Sequence, residues 1–194
     1  MMKAHVLLFN GYADWGIGNA LAELRRLGDK SVISVGFDGS SITSLGGLRV
    51  TPDITLSDVD IDGVLIFMLP GGQLWEGDYP FEALKALLVD LERCSAPIAA
   101  ICAATTVLAR AGLLRNRKHT SNSAKYMAKM VPGYANRKHY VDALSVCDRS
   151  VITASSLGAV DFAAQILEEL NIADADIRRR WYEAFKYGNY PDME

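Results

Sequence analysis

Cys102 is the residue of this chain whose type and setting point most directly to chemistry. It ends a strand-length apolar run, Ala96-Pro97-Ile98-Ala99-Ala100-Ile101, and a helical pattern (Val107, Leu108, Ala111, Leu113, Leu114) begins at once, with Gly112 near its end. Nothing between the two is long enough to be a loop. A strand turning directly into a helix forces the junction residue into a tight backbone conformation and presents its side chain at the carboxyl edge of the sheet. There the thiol faces the free N–H groups and positive dipole end of the following helix, a setting that favours thiolate. The chemistry implied is that of a cysteine nucleophile or a redox-reactive thiol. A buried structural cysteine is the plain alternative.

The elements that must position this thiol can be read from apolar periodicity. Residues 4–9 form an apolar strand broken at Asn10-Gly11, and residues 14–27 carry apolar positions at Ile17, Ala20, Leu21 and Leu24, a helix closed by Gly28 with Asp14 at or near its N-cap. Residues 31–37 read as a second strand, and residues 42–51 as a hairpin turning at Gly46-Gly47. Residues 63–69 are an almost continuous apolar run, the mark of a strand covered on both faces, and they end in Pro70-Gly71-Gly72-Gln73. A helix over 81–91 leads into the strand before Cys102. Residues 119–122 resemble a short strand before a helix over 123–130, and residues 143–147 pair with 151–154 across Asp148-Arg149. Helices over 158–170 and 174–186 complete the chain.

Strands alternating with helices argue a single α/β domain over residues 1–194, a three-layer αβα sandwich around a mostly parallel sheet with a small β-hairpin addition. In such folds the active crevice lies outside the carboxyl ends of the strands. Residues 11–18, residues 70–73 and Cys102 are therefore expected to converge.

Composition narrows the partners. With 20 Lys and Arg against 23 Asp and Glu, the formal charge is −3, and no basic patch points to nucleic acid. Arg178-Arg179-Arg180 reads as the solvated face of a helix. Three cysteines, Cys94, Cys102 and Cys147, cannot all pair, and with three histidines and no CxxC a metal site is not expected. Residues 6–9 are too short an apolar run for a secretory signal, and no stretch reaches membrane-spanning length, so a cytoplasmic location is expected, with no membrane partner. His5 is expected within the first strand, and His119, after Arg115-Asn116-Arg117-Lys118, at the surface. Trp15 and Trp75 follow two of the site loops and would line the crevice, the core or a dimer contact.

Four motifs together resemble the ThiJ/PfpI superfamily, the DJ-1/PfpI type of the class I glutamine amidotransferase-like fold. They are Leu8-Phe9-Asn10-Gly11-Tyr12-Ala13-Asp14-Trp15, Leu69-Pro70-Gly71-Gly72, Ala100-Ile101-Cys102-Ala103, and Ile152-Thr153-Ala154-Ser155 leading into Asp161-Phe162-Ala163. The resemblance covers nearly the whole chain and implies a flavodoxin-like sheet and a homodimer, with the first helix as a contact element where Gly16 and Gly18 permit close approach. It makes Cys102 the elbow nucleophile, and the N–H groups of Gly72 and Ala103 an oxyanion-binding pair. Trp15, Gly16, Gly71 and Asn122 then fall at the substrate site, Asn122 offering its amide to a carbonyl or carboxylate or capping the next helix.

The departures from the family pattern matter as much. Many relatives carry a glutamate, hydrogen-bonded to the cysteine, where this chain has Gly16; a glycine supplies neither proton nor acceptor. Asp14 is the nearest acid and the substitute general acid or base, unless it serves as the helix cap. PfpI-type peptidases have a histidine directly after the nucleophile, where Ala103 stands, and no histidine beyond His139 suits glutamine hydrolysis. The expectations are an enzyme acting on small carbonyl compounds (glyoxalase-, deglycase- or hydrolase-like), impaired to an unknown degree by Gly16, or a non-enzymatic redox or stress sensor or binding protein. No cofactor is expected.

Overall fold

The apolar runs decide the centre of the molecule. In the computed structural model, which describes residues 2–189, they become the parallel strands of one sheet. In chain order the elements are β1 (Lys3–Leu7), α1 (Asp14–Arg26), β2 (Val32–Gly36), β3 (Ile42–Thr43), β4 (Arg49–Val50), β5 (Ile54–Thr55), β6 (Val64–Leu69), α2 (Phe81–Arg93) and β7 (Ile98–Ile101). There follow α3 (Thr105–Arg110), α4 (Ala124–Met130), β8 (Ser145–Asp148), β9 (Val151–Ala154), α5 (Ala159–Glu169) and α6 (Ala175–Tyr187). Tight 3-10 turns at Gln73–Glu76 and Cys102–Ala104 lie beside the site.

The sheet has seven strands in the order β5-β2-β1-β6-β7-β9-β8, parallel except for β8, which runs antiparallel to β9 on the edge. The strand order reverses direction at β1, so the crevice between the carboxyl ends of β1 and β6 is a topological switch point. Helices cover both faces, giving the expected three-layer flavodoxin-like architecture, and the pair β3–β4 forms the separate antiparallel hairpin. On one side α1 packs on α5, with α6 behind it.

The centre is dry. Ile66, Phe67, Met68 and Leu69 of β6 and Ile98, Ala99 and Ala100 of β7 are fully buried, and Leu84, Leu88 and Leu91, one turn apart on α2, cover them. Each fully buried leucine contributes about 1.5–3 kcal/mol over an exposed one. Two local expectations change, and Trp75 takes one of the places left open to it. Residues 119–122 form an isolated bridge from His119 to Tyr140 rather than a strand, and Ile54-Thr55, too short to show a period, adds an edge strand. Trp75 is wholly buried, its ring edge-on to Phe9, Phe37 and Tyr79, and its indole N–H donates to the Pro70 carbonyl at 2.7 Å. It is core, not a crevice wall.

His119 also departs from expectation: it is fully buried. Its Nδ1–H donates to the Arg117 carbonyl (2.7 Å) and Nε2 accepts from the Tyr134 hydroxyl (2.5 Å), so both ring nitrogens are satisfied in the neutral imidazole. Burial holds its pKa below the ordinary histidine value against the pull of the Arg117 carbonyl, and His139 adds to the lowering. The stabilisation from neutral His119 is therefore complete above about pH 6.5 and is lost as the pH falls through its lower folded value. Thermal melts should show a clear loss of Tm for the native chain between pH 7.5 and 5.5. His119→Gln should start lower but fall less over that interval; an equal fall would show that His119 does not carry the effect. His5, shifted in the same direction by burial, retains its own share in both proteins.

Candidate active site

The turn that leaves β7 sets the geometry. Ile101 is extended, with φ −121° and ψ 146°, and the next residue, Cys102, adopts φ 62°. A left-handed backbone at a non-glycine residue costs on the order of 1–3 kcal/mol and persists only where the surroundings fix it. Here a 3-10 turn over Cys102–Ala104 precedes α3, so the chain tightens before the α-helix begins. The Thr105 hydroxyl donates to the Cys102 carbonyl at 2.7 Å and lies 2.7 Å from the Ser121 hydroxyl, tying the turn to the segment that carries Asn122.

The loop after β6 passes directly alongside the thiol. A Cβ on Gly71 would lie 2.8 Å from Cys102 Cβ and 3.3 Å from Sγ, so only a glycine fits. Gly72 has φ 152°, and a Cβ there would meet the Phe9 ring at 2.6 Å. The Trp75 indole and the Ala13 N–H, which donate to the carbonyls of Pro70 and Gly71, anchor the loop at 2.7 and 2.9 Å. Among the described residues the Gly72 N–H has no hydrogen-bond partner. Ala103, the next residue after the thiol, is buried.

Asn122 is brought to Cys102. Its Nδ2 donates to Sγ at 3.4 Å, while its Oδ1 accepts from the Ser156 N–H at 2.9 Å, which fixes which end of the amide faces the sulfur. The cap of α4 is Ser123, whose hydroxyl accepts from the Tyr126 N–H, so Asn122 is released from capping and points at the thiol. Sequence reading missed three participants here. Ser156 orients Asn122, and the Tyr126 hydroxyl donates to Glu76 Oε1 at 2.8 Å, joining the turn after β6 to the start of α4. Residues 50 apart in the chain leave no local motif; the available signal is Ser123 as a helix start, which places Tyr126 in the first turn of α4.

Asp14 takes a different place from the one expected of a cap. Ala13 is the N-cap and Asp14 the first helical residue, with its Oδ2 accepting from the Gly46 N–H at 2.7 Å across to the β3–β4 turn. Burial pushes its pKa up, but the Ser44 side chain and the N–H groups of Gly46 and Asp14 itself outweigh it and hold the carboxyl below the usual range. No hydrogen bond joins it to Cys102 among the described residues. Gly16 is buried, and a Cβ there would touch Ile101 Cγ2 at 3.3 Å; only Gly18 of the pair is exposed on the helix. Close approach of a second subunit at Gly16 is thus corrected: Ile101 already occupies that face. Trp15 stands 54% exposed beside Asp14.

The other thiols differ. Cys147 donates to Glu169 Oε2 at 3.3 Å, and burial with the Glu169 bond and charge pushes it up to about 12. Cys94 is exposed at the end of α2. Among the described residues no group of three or more His, Cys, Asp or Glu side chains is placed to hold a metal, and no helix is long and apolar enough to cross a membrane.

Comparison with known proteins agrees with this construction. The uncharacterized protease YoaZ of Bacillus subtilis is 35% identical over 191 residues, covering 95% of this chain and 90% of that protein. The glutathione-independent glyoxalase DJR-1.2 of Caenorhabditis elegans is 31% identical over 144 residues, 74% of this chain and 75% of its own. The crystal structure of a thiJ/pfpI family protein from Bacillus anthracis superposes with a TM-score of 0.90 at 32% identity, covering 96% of this chain and 91% of that one. The family model of the DJ-1/PfpI family matches residues 2–169, and with the elbow cysteine and the glycine pair in place the chain belongs to that family.

Proposed function

We propose that this protein is a cysteine-dependent enzyme of small carbonyl compounds, α-oxoaldehydes or their adducts, with Cys102 as the nucleophile. The observation that carries the reading is the left-handed Cys102 with an oriented amide N–H on its sulfur and a glycine backbone alongside. An N–H donor on Sγ stabilises the thiolate, the form that attacks carbon. The thiolate gives its pair to the carbonyl carbon, the C=O π pair moves to oxygen, and the N–H groups of Gly72 and Ala103 receive the oxyanion. The glyoxalase named among the relatives supports this substrate class. The peptidase reading suggested by the name of the Bacillus subtilis relative lacks its expected histidine, because Ala103 follows the nucleophile. A redox-sensing role is the second reading, favoured by the same Asn122 donor, which would equally stabilise a sulfenate or sulfinate on Cys102.

The small-molecule partner is joined in this proposal by a second copy of the chain. The Leu45 N–H donates to the Tyr12 carbonyl and the Gly46 N–H to Asp14, which lays the β3–β4 turn against the start of α1. These two adjoining segments carry the exposed apolar side chains Trp15 (54% exposed), Leu45 (60%) and Leu48 (62%), the kind of surface that marks a protein contact.

Methylglyoxal turnover, measured as the appearance of the hydroxy acid, should be present in the native chain and absent in Cys102→Ser. Asn122→Ala should slow both turnover and iodoacetamide alkylation of Cys102 by about tenfold, as loss of a hydrogen bond to a charged group predicts. Cys102→Ser supplies the alkylation blank for exposed Cys94. Absence of turnover with intact alkylation and ready oxidation would replace the enzyme reading with the sensor. By sedimentation velocity the native chain should run as a dimer and Leu45→Asp/Leu48→Asp as a monomer; a monomeric native chain would sink the second-copy proposal.

A further inference from the structure

Gly16 leaves Cys102 without a carboxyl from α1, yet any addition to a carbonyl makes an alkoxide that must be protonated. A closed circuit of contacts supplies a different group. From Cys102 the backbone of Gly71 and Gly72 leads into the turn Gln73–Glu76; Glu76 accepts from the Tyr126 hydroxyl at 2.8 Å; Tyr126 stands in the first turn of α4, whose cap Ser123 directly follows Asn122; and Asn122 returns to Cys102 Sγ at 3.4 Å. Arg110 holds the circuit shut. Its guanidinium donates to the Trp75 carbonyl (3.0 Å) and the Tyr79 hydroxyl (3.2 Å) on the side of Glu76, and to the Met130 carbonyl (2.9 Å) at the end of α4.

We propose that Tyr126 is the proton donor of the Cys102 site, positioned by Glu76, and that it replaces the side chain absent at Gly16. The proposal rests on the carbonyl reading above and names its acid. As the Sγ–C bond forms, the C=O π pair becomes an alkoxide. The phenolic hydrogen rotates about the Cζ–Oη bond away from Glu76 and transfers to that oxygen, leaving a hemithioacetal and a tyrosinate that solvent water reprotonates. Reversal returns the proton by the same path, so no oxidant or further reactant is required.

The charges around the phenol suit this role. Burial raises its pKa, the hydrogen bond and charge of Glu76 and the charge of Cys102 raise it further, and only Arg110 opposes them. Tyr126 is therefore held in its protonated form, and an alkoxide formed beside it is a base strong enough to take that proton. Glu76 does not touch the reacting atoms. It is a positioning residue that holds the hydroxyl oxygen through their hydrogen bond.

The test compares two reactions of one sulfur. Alkylation by iodoacetamide needs the thiolate and no acid, whereas addition of methylglyoxal, followed by stopped-flow loss of its carbonyl absorbance, needs both. Tyr126→Phe should slow addition at least tenfold while alkylation stays within about twofold, and added imidazolium buffer should restore addition in Tyr126→Phe without accelerating the native chain. Glu76→Ala should also slow addition, and Glu76→Gln, whose amide oxygen still accepts from the phenol, should recover most of the rate. Undiminished addition in Tyr126→Phe, or equal losses of addition and alkylation with no buffer rescue, overturns the proposal while leaving the carbonyl reading intact. A native chain that is alkylated but never adds methylglyoxal overturns both.

Discussion

The active-site edge of this molecule depends on one constraint, the left-handed backbone of Cys102, and on the two glycines that make room for it. Strands β6 and β7 are parallel neighbours in register, Leu69 beside Ala100, so the chain leaving β6 must run past the residue that ends β7. With Cys102 at φ 62° its Cβ swings toward that chain, and Gly71 offers the required gap. The strain is held by bonds that act on both sides of it: Thr105 on the Cys102 carbonyl, the Trp75 indole on Pro70 and the Ala13 amide on Gly71. A strained residue fixed by unstrained neighbours is a pre-organised one, and pre-organisation is what makes a single thiol useful.

The same packing explains why Gly16 leaves no hole beside the thiol. Ile101 fills the space in front of the glycine, so α1 closes on β7 through an apolar contact where a charged side chain would otherwise have to be accommodated. Asp14, two residues earlier, is drawn the other way. Its carboxylate completes the β3–β4 turn, and hydrogen bonds that lower its pKa make it a steady anion rather than a group that takes and gives a proton near neutrality. The α1 side of the thiol is therefore apolar, and its polar partners come from the opposite side, from Asn122 and the segments around it.

How legible this was in the sequence follows from the range of each interaction. The strand-to-helix elbow, the glycine pair and the alternation of strand and helix are encoded in runs of a few residues, and the structure brings Gly71 against Cys102 as those runs and the family resemblance lead one to expect. Asn122 was found by position, but its partner was not, because the contact with Ser156 joins residues 34 apart across two loops. Glu76 and Tyr126 are invisible for the same reason. His119 was misjudged because four polar neighbours suggested exposure, whereas the Arg117 carbonyl and the Tyr134 hydroxyl allow a neutral imidazole to be buried at little cost. The two-residue strand Ile54–Thr55 exists only because β2 offers an open edge.

These ranges also bear on why membership of the DJ-1/PfpI family says more about the fold than about a reaction. Cys102 and its glycines are set by sheet register and by steric exclusion, which tolerate almost no substitution. The groups that would move a proton stand on α1, on the turn after β6 and at the start of α4, three surface segments whose side chains can change without disturbing the sheet. In this chain the α1 position has become Gly16 and a hydrogen-bonded pair, Glu76 and Tyr126, spans the other two. The place of the thiol follows from the sheet; the polar groups around it follow from segments that the sheet does not constrain.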